Sequence, residues 1–383
     1  MRRIAIGCQG GGSHTAFTTG ALGAIIREQL VHGDFEIVAL SGTSGGAIAA
    51  LLAWYGILVD GGKAALDPLD RFWREGFPRG GAAQLLADRI ANAAYVRSLR
   101  LPVAAGVSPY ASSRVVNALP RFGRETWLPW LDPHAGLRAM LEHHVDFARI
   151  PQLVERDGSR HELFVGSIEV LTGDFVAFRG TDPDFSVDAV VASGTLPEIA
   201  RATAIGSGRY AGVYWDGLYS QNPPITQLFN PGPAVGAPEE VWLIRINPRT
   251  RADEPRNLSD IADRRNELAG NLSLEQELSH ARFINRLVGA LNESRVSLAA
   301  AGEGAAQQFE ACALTRELQR CRAVALPEPI VMAPAVAARL DYASKFDRDP
   351  AFLAMLIEHG AIQARAFLAR WRSGETAGAT AGA

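Results

Sequence analysis

Residues 1–60 alternate twice between a short apolar run and a longer stretch with helical spacing. RRIAIGC is a brief β-branched run that meets glycines at once, and SHTAFTTGALGAIIREQL then sets Phe17, Leu22, Ile25, Ile26 and Leu30 near one face of a helix. FEIVAL repeats the strand signal, and GGAIAALLAWYGIL predicts a helix apolar nearly all round, as for one covered on several sides. Two strand-turn-helix units in succession predict a mostly parallel sheet with helices on both faces, a three-layer α/β arrangement.

Further strands are predicted at ELFVGSIEV, DFVAFRG, YAGVYWDG and EVWLIRIN, and AVALPEPIVM reads as an edge strand because of its prolines. Between residues 60 and 150 the pattern loosens into helical pieces separated by Gly and Pro, including RFGRETWLPWLDP. This segment is expected to be a helical, lid-like insertion over one end of the sheet. Residues 258–298 have helical spacing, with an expected break at Gly270 and a capping box of Ser273 with Gln276, predicting a helical hairpin or kinked helix. DPAFLAMLIEHGAIQARAFLARW predicts a last amphipathic helix, and residues 373–383 a disordered tail of small residues. With no internal repeat and no linker rich in Pro, Gly or Ser, residues 1–372 read as a single domain.

Composition narrows the function. The 383 residues are 48% hydrophobic, enough for a large buried core, and 38 Lys and Arg against 41 Asp and Glu leave no basic excess to track a nucleic acid. Three cysteines, Cys8, Cys312 and Cys321, show no CxxC spacing, so neither a disulfide framework nor a zinc site is indicated and a reducing, cytoplasmic setting fits. The positive amino terminus is followed by an apolar run that Gly and Gln soon break, which reads as a strand rather than a signal peptide. The apolar stretch Gly46 to Val59 is shorter than the roughly 20 residues of a membrane span. It is expected to be a buried helix. No metal or cofactor is implied.

Three local features carry chemistry. LSGTSGGAIAALLAWYG holds Gly42-Thr43-Ser44-Gly45-Gly46, a G-x-S-x-G pentapeptide between a predicted strand and a predicted helix, the context in which a nucleophilic serine sits on a strained turn. The same residues would also suit a helix N-terminus with a small capping serine. Gly10-Gly11-Gly12 closes the first strand and opens the first helix, so its amides can converge on a negative charge. A plain tight turn or a dinucleotide loop of the G-x-G-x-x-G type would look similar, although the latter's last glycine would fall at Thr15. Asp216, in YAGVYWDGLYSQNPPI, ends a strand-like run before a glycine and is expected at the carboxyl edge of the sheet, where open α/β sheets bind ligands.

Taken in order, Gly10 to Gly12, Ser44 and Asp216 make the chain resemble the patatin-like phospholipases, and ASGTLPEI (192–199) is similar to that family's small-residue and proline segment before its aspartate. GGGSHTAFTTGAL and DIADRRNELAGNLSLEQEL look closer to a bacterial subgroup than to the plant storage proteins. There are departures. The family's GGGxRG reads GGGSHT, so His14 replaces an arginine and Thr15 a glycine, and Asp-Gly-Gly becomes Asp216-Gly217-Leu218.

The resemblance implies a serine acyl hydrolase acting on lipid acyl esters, phospholipid or lysophospholipid, through an acyl-enzyme and a Ser44–Asp216 dyad without histidine. A carboxylate of reference pKa about 3.9 is a poor base for a hydroxyl, so charge stabilisation by the amides of Gly10, Gly11, Gly12 and Gly45 is expected to supply much of the acceleration. Trp127 and Trp130 are candidates for lining an acyl channel or touching a bilayer, against ordinary packing beneath a loop. The expected partner is a lipid or small acyl ester, with peripheral membrane contact compatible with it. Two rivals stay open: an α/β-hydrolase esterase using His280 or His359 in a triad, and a non-catalytic lipid-binding protein on the same fold.

Overall fold

The structure, a computed structural model, describes residues 1–75, 82–104, 133–197, 200–251, 253–255, 258–301, 303–312, 315 and 322–375. Its first strand, β1 (Arg2–Cys8), leads through a turn into α1 (Ala16–His32), and β2 (Phe35–Thr43) leads into α2 (Gly45–Asp60). Four helices follow, α3 (Leu66–Glu75), α4 (Ala82–Ala104), α5 (Pro133–His144) and α6 (Ile150–Asp157). Then come β3 (Glu162–Glu169), β4 (Phe175–Arg179), α7 (Val187–Ser193), β5 (Thr203–Ile205), β6 (Gly212–Asp216) and β7 (Glu240–Arg245). The remainder is α8 (Leu258–Ala301), α9 (Glu303–Ala311), β8 (Ile330–Val331) and α10 (Pro350–Ser373).

Eight strands among the described residues form one sheet in the order β5-β6-β3-β2-β1-β7-β8, with β4 also paired to β3. The pairs from β3 to β8 along this order are parallel, and β4, β5 and β6 are joined antiparallel. Strand alternation sorts the core into two. Ile4, Ile6, Cys8, Trp242 and Ile244 point into the layer of α1, α2 and α10, whereas Ala5, Val241 and Leu243 face Leu274 and Leu278 of α8. The result is the three-layer architecture that the apolar pattern predicts.

The first and last helices meet at glycines. A Cβ on Gly20 would stand 1.8 Å from the Ile357 carbonyl oxygen, and one on Gly360 1.9 Å from that of Phe17. Only glycine at both positions lets the two backbones touch. By length and composition α10 is apolar enough to cross a membrane; here Leu353, Leu356, Phe367 and Leu368 are buried in the core. Its end is fastened at Glu240, whose Oε2 accepts from the indoles of Trp242 and Trp371, each at 2.8 Å, while Oε1 accepts from Arg2.

One expectation changes and two features are new. The segment around Gly270 is not a hairpin: α8 runs without interruption for 44 residues. Gly270 serves contact instead, since a Cβ there would lie 2.9 Å from Asn222 Nδ2 and 3.2 Å from Leu218 Cδ1. β5 was not predicted, because three residues are too few to show a period. Finally, β6 runs antiparallel to β3, so Asp216 reaches the carboxyl ends of β2 and β3 by returning from beyond them, opposite Ser167.

Candidate active site

β2 ends at Thr43 and α2 starts at Gly45, which leaves Ser44 as the whole connection. So sharp a turn needs an unusual backbone, and Ser44 adopts φ 56 and ψ −130, a left-handed conformation that costs a non-glycine residue on the order of 1–3 kcal/mol. Its side chain makes no capping bond to the helix, so the capping-serine reading does not hold. Ser44 is half-buried. Gly45 opens the first turn of α2, where backbone N–H groups have no intrahelical carbonyl and the helix dipole is positive.

The neighbours of this turn are pressed close. A Cβ on Gly10 would stand 2.4 Å from Thr43 O and 2.9 Å from Ser44 Cβ. One on Gly45 would stand 2.1 Å from Thr15 Oγ1, which itself donates to Gly12 O at 2.6 Å. Thr15 in place of a glycine therefore fits, because Gly45 leaves it space. Gly12 has φ 58, a value that glycine adopts without strain, and its Cβ position lies 2.4 Å from Lys345 O. The Gly11 position faces Ile246 Cγ2 at 2.6 Å.

An amide cluster fixes the glycine loop from behind. Asn222, buried, accepts the Gly10 N–H on Oδ1 at 2.6 Å, and its Nδ2 donates to Gly10 O at 3.4 Å. Gln9 accepts the N–H groups of Ile246 and Asn247 on Oε1 and donates to Asn271 of α8 at 3.0 Å. The Gly10 amide is thus engaged. Sequence reasoning grouped Gly10 with the donors and missed Asn222, because nothing in the string QNPP says which amide it would meet.

Asp216 is 1% exposed. Its N–H donates to Thr195 O at 2.9 Å, and its Oδ1 accepts the Leu218 N–H at 2.8 Å. The residues beside Ser44 and Asp216 meet: a Cβ on Gly217 would stand 3.0 Å from Thr43 Cγ2 and 2.5 Å from Gly166 O, and Gly166 pairs with Thr43 across the sheet. Thr43 Oγ1 also donates to Gln221 O at 2.8 Å, tying the strand before Ser44 to the loop after Asp216. Leu218, another departure from the family pattern, points its side chain at the space left by Gly270.

Among the histidines, His134 Nε2 lies 3.3 Å from Thr195 Oγ1. His14 is buried with Nε2 2.8 Å from Ser344 Oγ, and burial, with Lys345 nearby, pushes its pKa down to about 3. His359, on α10, accepts the Ala333 N–H on Nε2 at 3.0 Å, and burial lowers its pKa. His280 lies on the exposed side of α8. Trp127 and Trp130 fall outside the described residues. Among the described residues no three His, Cys, Asp or Glu side chains are grouped as metal ligands would be. A cavity of 880 Å³ between the end of β7, α8 and the 326–345 stretch is lined by His14, Arg245 and Asn247 but not by Ser44 or Asp216.

One family model matches more than half of the chain. The family described as Patatin-like phospholipase matches residues 8–229. Among solved structures, VipD from Legionella pneumophila aligns at 15% identity and a TM-score of 0.37, over 96% of this chain and 67% of that one. Full-length ExoU of Pseudomonas aeruginosa, solved with SpcU, aligns at 17% identity and a TM-score of 0.27, over 71% of this chain and 51% of that one. This chain thus spans about half the length of that structure. No curated protein matches the chain.

Proposed function

The chain belongs to the patatin-like phospholipase family, and from that premise we propose that it hydrolyses acyl esters of lipids with Ser44 as nucleophile and Asp216 as the base. The observation that carries the reading is the strained turn at Ser44, uncapped and next to Thr43, which packs against the Gly217 that follows Asp216. A strained serine persists where the surrounding structure holds it, and such strain concentrates at reacting groups.

In the forward step Ser44 Oγ attacks the acyl carbonyl while its proton passes to the Asp216 carboxylate. The carbonyl oxygen becomes an oxyanion, held by the N–H groups of Gly11, Gly12 and Gly45 and by the positive end of α2. Gly10, its amide bound to Asn222, anchors the loop rather than donating. Collapse expels the alcohol, which takes the proton from Asp216 and leaves an acyl ester on Ser44. Water then attacks that ester as Asp216 takes its proton; collapse breaks the bond to Ser44 Oγ, which recovers the proton from Asp216, and a fatty acid leaves. The substrates are phospholipid or lysophospholipid acyl esters, reached by a cytoplasmic enzyme in peripheral contact with a membrane, and Trp127 and Trp130 are proposed to meet the acyl chain. Residues 1–372 are proposed to act as one unit.

The test is labelling with a fluorophosphonate, followed by hydrolysis of a chain-length series of esters. Wild-type protein should label at Ser44 and prefer longer acyl chains, and Ser44→Ala should lose both label and turnover while keeping its circular dichroism. Undiminished hydrolysis by Ser44→Ala would remove the nucleophile assignment, and a wild-type protein that neither labels nor turns over would make this a binding protein.

A further inference from the structure

The segment ASGTLPEI matters to the resemblance, yet the reaction as written gives it no part. We propose that Ser193, within it, is a positioning residue that holds the nucleophile turn in its strained form and sets it against the strand of Asp216. The proposal rests on the assignment of Ser44 and Asp216 made above.

Ser193 closes α7 and is fully buried, at 0% exposure. Its Oγ accepts the N–H of Ser44 at 2.9 Å and donates to Gly166 O at 2.6 Å, so the hydroxyl is used in both directions by two fixed backbones. The second of these matters because Gly166 is the residue wedged between Thr43, its partner in the sheet, and Gly217. Two residues beyond Ser193, Thr195 accepts the N–H of Asp216 on its carbonyl at 2.9 Å. Thr195 cannot drift, since its buried Oγ1 is bound to Val191 O at 2.8 Å and to Thr203 Oγ1 at 2.7 Å. One three-residue stretch therefore takes the backbone N–H of both reacting residues.

The physics of the turn gives this grip its importance. At φ 56 Ser44 sits above its relaxed conformations, and the bond from its N–H to Ser193 is one of the contacts that prevents its rotation to negative φ. Without the acceptor, the turn relaxes, the N–H seeks another partner, and Ser44 Oγ swings away from Asp216. A displacement of about 1 Å at a reacting atom is worth on the order of 10² in rate, with little effect on ground-state affinity. Ser193 touches neither substrate nor reacting oxygen in this account. Its action is exerted through the Ser44 backbone.

Ser193→Ala tests this, with Val190→Ala as a stability-matched control, a buried α7 residue whose side chain belongs to the core. Ser193→Ala should lower both the fluorophosphonate labelling rate at Ser44 and kcat by on the order of 10²-fold, leave KM within about threefold, and speed amide hydrogen exchange in residues 41–48. Val190→Ala should melt earlier yet label at the wild-type rate. Wild-type labelling by Ser193→Ala, or a loss no larger than that of Val190→Ala at equal melting temperature, overturns the proposal while leaving Ser44 as nucleophile. A wild-type protein that does not label refutes the Ser44 assignment instead, and exchange alone then decides: an unchanged Ser44 amide in Ser193→Ala refutes the grip. Should Ser193→Ala not fold, Ser193→Cys, which keeps a weaker donor and acceptor, carries the same comparison.

Discussion

Replacing Asn222 by alanine removes the clamp on the glycine loop, and its cost can be worked from the contacts. Asn222 Oδ1 accepts the Gly10 N–H at 2.6 Å inside a site where Asn222 is 1% exposed, so the truncated protein buries that N–H without a partner. Such a group costs about 1–3 kcal/mol. The Gly10 carbonyl suffers less, because Asn247 Nδ2 still reaches it at 3.4 Å. Allowing for the space vacated beside Gly270, the total loss of stability is expected at about 2–4 kcal/mol. Gly10 immediately precedes the proposed oxyanion donors, so a loop set loose by about 1 Å should also lose on the order of 10² in turnover. Urea unfolding measures the first quantity, and kcat and KM on a soluble ester, normalised by active-site titration, measure the second. Stability lost with kcat within threefold of wild type would show that the donors keep their geometry without the clamp, and the reasoning fails.

Asp216→Asn is expected to be nearly as damaging as Ser44→Ala, while His280→Ala and His359→Ala keep most activity, read by ester turnover with circular dichroism as the check on folding. Activity should not fall away near pH 6.5, where a free histidine protonates; a drop there would return the base role to a histidine. Gly11→Ala and Gly12→Val should lower kcat by on the order of 10²–10³ with a smaller change in KM, and a purely raised KM would mark a ground-state binding loop. His14 should contribute to acid stability: its folded pKa, lowered from 6.5 to about 3, lies below its unfolded value, so the unfolded chain binds the extra proton between these limits. Stability is therefore complete above pH 6.5 and declines as pH falls toward 3, by up to about 1.4 kcal/mol per pH unit. His14→Gln should flatten that part of a melting-temperature curve, and an unaltered slope would contradict it.

The order of strands and helices was largely legible because parallel strands buried on both faces and amphipathic helices write their periods into the chain. RRIAIGC, FEIVAL and EVWLIRIN are β1, β2 and β7 in the structure. The residues of the proposed site were also visible, since Ser44, Gly10 to Gly12 and Asp216 each sit in a local string that turn chemistry restricts. What was not legible is long-range. Asp216 was expected at the carboxyl edge because it ends a strand-like run, and it arrives there on a strand antiparallel to β3, a direction the run itself does not encode. Gly270 looked like a helix break because a glycine's local cost is readable, whereas the Asn222 and Leu218 side chains that need its missing Cβ are 48 and 52 positions away. Asn222 and Ser193 carried no signal at all, because a single polar side chain shows its use only when the backbone it meets is in place.

The fastening of α10 on the sheet has a consequence for the order of synthesis. Ser44 and Asp216 both leave the ribosome within the family-matched stretch, residues 8–229. Ile246, Asn247 and Lys345, which pack against the glycine loop, and Trp371, which binds Glu240 beside Arg2, are translated later. β1 cannot be flanked on both sides until β7 exists, and α1 has no cover for its Gly20 surface until α10 emerges. A nascent chain therefore carries the proposed nucleophile and base for much of its elongation without an ordered glycine loop. Acyl hydrolysis is expected to switch on only when the last helix docks, so premature termination should yield fragments that contain Ser44 and Asp216 but are inert toward the lipids around them.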